Sequence, residues 1–90
     1  MLPNELDIAA AGQARADLRA AIARGGDLLV DCSKLSFIDS SGVAVLLEAN
    51  QHLEAEGCHL ALVNVRDQPR QTLEWLGLTD LLRDDRESIV

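Results

Sequence analysis

A chain of 90 residues with 48% apolar content has room for one small domain and one core. A net charge of −7 argues against nucleic acid and anionic membrane surfaces as partners, since both attract basic patches, and favours a basic protein surface. No apolar run is long enough to span a bilayer and no secretory leader precedes the first acidic residues, so direct membrane insertion is not expected and the expected location is the cytoplasm.

With one Phe, one Trp and no Tyr, the core must be built from Leu, Val, Ile and Ala. Two cysteines do not make a disulfide framework. Cys32 closes one expected strand and Cys58 precedes another. If those strands are parallel neighbours, the thiols lie at opposite ends of the sheet and stay reduced. His52, Cys58 and His59 match no standard zinc-ligand spacing, so no metal site is expected.

Residues 1–6 read as a short extended segment limited by Pro3. From Asp7 onward, Ala11, Ala14, Leu18, Ala21 and Ile22 recur on one face of a helix. Alanine dominates that face, so the helix is expected to approach a sheet closely. Gly12 weakens its first turns and Gly25-Gly26 stops it. Residues 28–32 form the first expected strand. Leu28, Leu29 and Val30 leave it no polar face, the pattern of a strand covered on both sides in a parallel sheet. A loop over 33–36 follows, and Phe37 and Ile38 are expected to turn inward.

The spacing then predicts a helix over 41–56, with Val43, Leu46, Leu47, Asn50 and Leu53 inward and Gly57 at its end. Val45 and Ala49 fall on another face, close to the helix start, and form a candidate contact patch. Residues 59–65 form the second expected strand, giving a β-α-β unit with a right-handed crossover. Asp67 is placed as the cap of a short helix with Pro69 in its first turn. Leu73, Trp75 and Leu76 supply apolar surface, Thr79-Asp80-Leu81-Leu82 one more turn, and 83–87 a solvated charged run. Ser88-Ile89-Val90 is a strand stub or the opening of a helix. The whole of 1–90 reads as a single α/β domain, a mostly parallel sheet with helices packed against it.

Asp39-Ser40-Ser41-Gly42 is the centre of this arrangement. Asp and Ser are strong N-cap residues because their oxygens accept orphan backbone N–H groups. The sequence thus sets hydroxyls at the positive end of a helix, where an anion is favoured. A serine there can take a phosphoryl group from a kinase, and the helix end tolerates the new charge. The same four residues also read as a plain cap. No Gly-rich phosphate loop and no Gly-x-Ser-x-Gly elbow is present. His52 lies about three helical turns beyond Ser40, and His59 opens the following strand, so Ser40 has no evident base. Neither an enzyme nor a cofactor is expected.

The run from Leu29 through Val43, with Phe37-Ile38-Asp39-Ser40-Ser41-Gly42 at its heart, resembles the signature of STAS domains, the bacterial anti-sigma factor antagonists and their relatives. Glu5-Leu6-Asp7 resembles the segment ahead of that family's first helix, and residues 73–82 resemble its third helix and Gly-Leu segment. The resemblance implies a STAS-like fold. It implies that Ser40 is phosphorylated by a partner anti-sigma factor kinase and that the dephosphorylated form binds that partner. It implies a role in partner binding for Asp39 beside Ser40 and matches Ser41 and Gly42 to the start of the second helix; with the candidate patch of Val45 and Ala49, these six residues are the expected partner-binding set. A second implied reading is an accessory subunit of a lipid-trafficking ABC transporter, contacting the ATPase through the same helix end. The family carries two strands before the Glu-Leu-Asp and a C-terminal helix after the Gly-Leu segment. Here four residues precede Glu5, so the domain is expected to be shortened at both ends. The expected result is an open edge beside residues 28–32, which invites a homodimer or pairing with residues 1–6.

Overall fold

Among the described residues every strand pairing is parallel, and the connections between paired strands run through helices. The structure is a computed structural model and describes residues 2–83. In chain order the elements are β1 (Glu5–Leu6), α1 (Ile8–Ile22), β2 (Leu28–Asp31), β3 (Phe37–Ile38), α2 (Ser40–Ala55), β4 (Leu60–Val63), α3 (Asp67–Trp75), a 3-10 turn (Thr79–Leu81) and β5 (Leu82–Arg83). One sheet has the order β2-β4-β5, and β1 pairs with β3 in a second. Among the described residues no helix is long and apolar enough to cross a membrane.

The expected central pair is present. β2 and β4 are adjacent and parallel, in register from Leu28↔Leu60 to Asp31↔Val63. Val30, Leu60 and Leu62 are buried there. Leu29 is 64% exposed, however, so β2 is not covered on both sides as its apolar run suggested. An apolar run signals burial only where a neighbouring layer exists, and none covers that side chain among the described residues. Phe37, expected to turn inward, is 40% exposed, while Ile38 beside it is buried. The two form a strand, so successive side chains must point to opposite faces.

α1 begins where expected. The Asp7 carboxylate accepts from the N–H groups of Ala9 and Ala10, both at 3.1 Å, and so caps the helix. Ala11, Ala14, Leu18 and Ala21 are its buried face. That face packs chiefly on α2, with further contact to β1. Arg15 and Arg19 cross the seam to Glu48 at 3.3 and 3.4 Å. This corrects the reading of Val45 and Ala49, which are 1% and 4% exposed. α2 has two apolar faces, one toward the sheet and one beneath α1, and Val45 and Ala49 lie on the second. Leu47 and Asn50, expected inward, are only half-buried.

Two smaller corrections follow. Arg66, not Asp67, occupies the cap position of α3 and makes no side-chain cap bond; Asp67 is the first helical residue, where its charge suits the helix dipole. Residues 1–6 do not pair beside β2. Glu5 and Leu6 pair with Phe37 and Ile38, and the Asn4 carbonyl accepts from the N–H groups of Ser36 and Phe37 at 2.7 and 3.3 Å. Burial of Leu6 against Ile38 fixes that choice. The second edge of β2 therefore carries no strand among the described residues. The expected stub at Ser88–Val90 lies outside the described residues.

At the C-terminal ends of β2 and β4, Asn64 adopts φ 58° and donates from its amide to the Asp31 carboxylate at 3.1 Å. That bond, then the Ser33 backbone N–H, holds the Asp31 carboxyl below its ordinary value. Next in the chain, Cys32 is buried, and desolvation pushes its thiol up to about 11, with the Asp31 charge adding to the effect. The β2–β4 register places Cys32 level with Asn64, six strand positions from Cys58. That is about 20 Å along the strand, against a limit of about 7 Å between the Cα atoms of a disulfide.

Both thiols are therefore expected to stay unlinked, and mass measurement after mild oxidation should show no intramolecular loss of two hydrogens. At pH 8 iodoacetamide should label the half-buried Cys58 first and Cys32 only on unfolding, because a buried thiol with a raised pKa offers almost no thiolate. The raised value also means that Cys32 favours the fold fully below about 9 and that this contribution is lost as pH climbs toward about 11. Equal labelling of the two cysteines in the native chain would contradict this placement.

Candidate functional site

The site is assembled where β3 runs into α2. Asp39 has extended backbone angles (φ −114°, ψ −173°), and its carboxylate accepts from the N–H groups of Ser41 at 2.9 Å and Gly42 at 3.1 Å. Its own carbonyl accepts the first helical bond, from Val43 N–H at 3.0 Å. Asp39 is thus the N-cap, and the helix starts at Ser40, one residue before the expected start. The capping load falls on the carboxylate. The Ser40 side chain is exposed at the first helical position and makes no hydrogen bond among the described residues. Ser41 is half-buried, one residue further in.

What fixes this corner in space is β3, a strand of two residues held from both sides. On one side the Asp39 N–H donates to the Leu6 carbonyl at 3.3 Å, continuing the β1 pairing. On the other, Gln68 of α3 stands in for a strand. Its Oε1 accepts from the Ile38 N–H at 2.9 Å, and its Nε2 donates to the Ile38 carbonyl at 3.0 Å and to the Thr72 hydroxyl at 3.0 Å. Below the cap, Gly42 is buried against β1. A Cβ there would run into the Leu6 carbonyl oxygen and come within 2.7 and 2.8 Å of Ile38 and Leu6 side-chain carbons. Only a residue without a Cβ lets α2 start so close to the sheet.

A family model for the STAS domain matches residues 1–88. The chain belongs to the STAS domain family. An anti-sigma F factor antagonist of Lysinibacillus sphaericus is 35% identical to it over 86 residues, spanning 93% of this chain and 74% of that protein. The anti-sigma factor antagonist SpoIIAA in its unphosphorylated form superposes with a TM-score of 0.79 at 34% identity, covering 98% of this chain and 80% of that one. The phosphorylated form of SpoIIAA, a Bacillus cell fate determinant, superposes with a TM-score of 0.71 at 34% identity, covering 98% and 83% of the two chains. The α/β fold expected from the resemblance is the one observed.

Within this STAS domain the corner brings Asp39, Ser40, Ser41 and Gly42 together. Val45 and Ala49 do not adjoin them as exposed surface, because α1 covers both. His52 is on the same helix as Ser40 but twelve residues on, about 18 Å along the axis. Sequence reasoning missed Gln68 and Thr72. A polar pair four apart on a short helix carries no sign that one member turns inward to a strand edge.

The cap and the glycine have separable costs. Asp39→Ala should destabilise the domain by about 1 kcal/mol, whereas Ser41→Ala, whose hydroxyl does not cap, should cost less. Gly42→Ala forces β1 and α2 apart and should cost roughly 1–3 kcal/mol. Urea denaturation of the three variants measures both, and a Gly42→Ala midpoint equal to wild type would refute the close approach.

Proposed function

We propose that this STAS domain is an anti-sigma factor antagonist and that Ser40 is its switch. The observation that carries the reading is the exposed Ser40 hydroxyl, fixed at the first position of α2 while Asp39 does the capping. In this reading the anti-sigma factor is itself a serine kinase. The unphosphorylated domain binds it; the phosphorylated domain does not. The relative from Lysinibacillus sphaericus named for anti-sigma F factor antagonism, and the existence of SpoIIAA in both phosphorylation states, support the assignment.

The chemistry fits the corner. Ser40 Oγ attacks the terminal phosphorus of the kinase's ATP, the bond to the departing ADP oxygen breaks, and the hydroxyl proton passes to a base on the kinase. The domain itself is a substrate and not an enzyme, and it acts in the cytoplasm, where sigma factors work. The first turn of α2 has no acidic residue, so no carboxylate within that turn opposes the phosphate as it meets the helix dipole beside the Asp39 cap. A dianion of that size placed in a contact surface adds bulk and charge that a partner fitted to a small hydroxyl cannot accept.

The reading extends to assembly. Leu28 and Cys32 donate their N–H groups to the carbonyls of His59 and Val63, at 3.0 and 2.8 Å, so the backbone groups of Leu29 and Asp31 point to the open edge. A second copy pairing along that edge would form a homodimer. Light scattering over a range of concentrations tests it, and a monomer throughout would rule the pairing out.

Ser40→Ala should abolish phosphate incorporation while leaving binding to the anti-sigma factor intact and stability within about 0.5 kcal/mol of wild type. Ser40→Glu should weaken binding, although one carboxylate imitates a phosphate dianion imperfectly. Ser41→Ala should still accept phosphate. Incubation with the kinase and ATP, mass mapping of the phosphate and calorimetric titration decide the matter. Phosphate on Ser41 alone would move the switch by one residue, and an unmodified, non-binding wild-type domain would refute the reading.

A further inference from the structure

The corner that presents Ser40 has a twin beside it. β1 and β3 are parallel neighbours in the register Leu6↔Ile38, and each runs directly into a helix through a capping Asp. The two caps repeat one another: Asp7 has φ −118° and ψ −171°, Asp39 has φ −114° and ψ −173°, and each carboxylate accepts from the N–H groups two and three residues on. Ile8 therefore stands at the position in α1 that Ser40 occupies in α2. The helices stay level as they leave the sheet, because Arg15, seven residues after Ile8, meets Glu48, eight residues after Ser40. Packed helices lie about 8–10 Å apart, so Ile8 is about that far from Ser40.

Two properties of this platform are unusual for the chain. Ile8 is 79% exposed, the most exposed large apolar side chain among the described residues. Charge is also sparse: beyond the two capping carboxylates, which are engaged by backbone N–H groups, residues 8–14 of α1 and 40–47 of α2 carry no charged side chain in a chain that is 26% charged. Helix starts ordinarily gain from acidic residues in the first turn, and neither helix has one. Depletion of charge around an exposed apolar anchor is the composition of an interface centre, not of a solvated rim. A protein seated over Ser40 and covering about 800 Å², the usual share of one partner, reaches roughly 16 Å from its centre. Ile8 falls inside that footprint.

We infer that Ile8 is a specificity-determining contact for the protein that recognises Ser40, and that the partner meets it with an apolar notch beside its serine-binding site. The inference rests on the function proposed above. The contact belongs to docking and not to chemistry, so it raises affinity in the unphosphorylated state and assists phosphorylation through recognition of the domain.

The test uses Ile8→Glu, Ile8→Val and, as a charge-matched control, Ala20→Glu. Ala20 is exposed on α1, twelve residues beyond Ile8 and about 18 Å along the axis, outside the footprint. The probe is the anti-sigma factor kinase that binds the wild-type domain, with ATP. Ile8→Glu should weaken binding by about tenfold or more and raise KM for phosphorylation with kcat little changed. Ile8→Val should stay near wild type, and Ala20→Glu should be neutral. Misfolding does not confound the result: a Glu at the first position of α1 suits the helix dipole, so the melting temperature should hold or rise. Wild-type binding that Ile8→Glu leaves within about twofold overturns the inference alone. A wild-type domain that neither binds nor accepts phosphate overturns the functional reading and the inference with it.

Discussion

The contact between Gly42 and the Leu6 carbonyl sets where the rest of the site can stand. It lets the second helix begin against the first strand, with no side chain between them. From that closeness follow the continuation of the strand pairing into Asp39, the burial of Leu6 and Ile38 beneath the helix start, and the arrival of the Asp39 carboxylate over two orphan N–H groups. None of these bonds is strong alone; a cap is worth about 1 kcal/mol. Their value is positional, since each removes one freedom from a two-residue strand that has little pairing of its own.

The second support comes from far along the chain. Gln68 completes the hydrogen bonding of Ile38 in the way a neighbouring strand would, and Thr72 holds the amide in the orientation required. A short buried strand with an unsatisfied edge would be costly. A side-chain amide removes that cost where the sheet has no further strand to offer. The site is therefore held from three directions: by the first strand, by its own helix, and by the third helix.

The parts legible in sequence were those with a repeating signal. The apolar runs of β2 and β4 gave their pairing, and the spacing of Ala11, Ala14 and Leu18 gave the buried face of α1. The Asp-Ser-Ser-Gly segment and the family resemblance marked the corner taken as the candidate site, and the start of α2 lies there. What stayed hidden depended on layering. Val45 and Ala49 are apolar because α1 lies on them, yet a single helix pattern does not say whether a second apolar face meets another helix or solvent. Leu29 shows the reverse, an apolar residue with nothing over it among the described residues. Gln68 left no trace at all, because its role depends on a partner thirty positions away.

Because the Asp39 carboxylate does the capping, the fold has no use for the hydroxyl at position 40. If Ser40 is the switch proposed above, folding and signalling fall to adjacent residues instead of competing for one. An exposed hydroxyl that the cap does not need can be exchanged or modified at little cost to the fold, while its neighbour stays fixed. A domain this small, with few kilocalories in reserve, gains from that division of labour: its message can change while its shape does not.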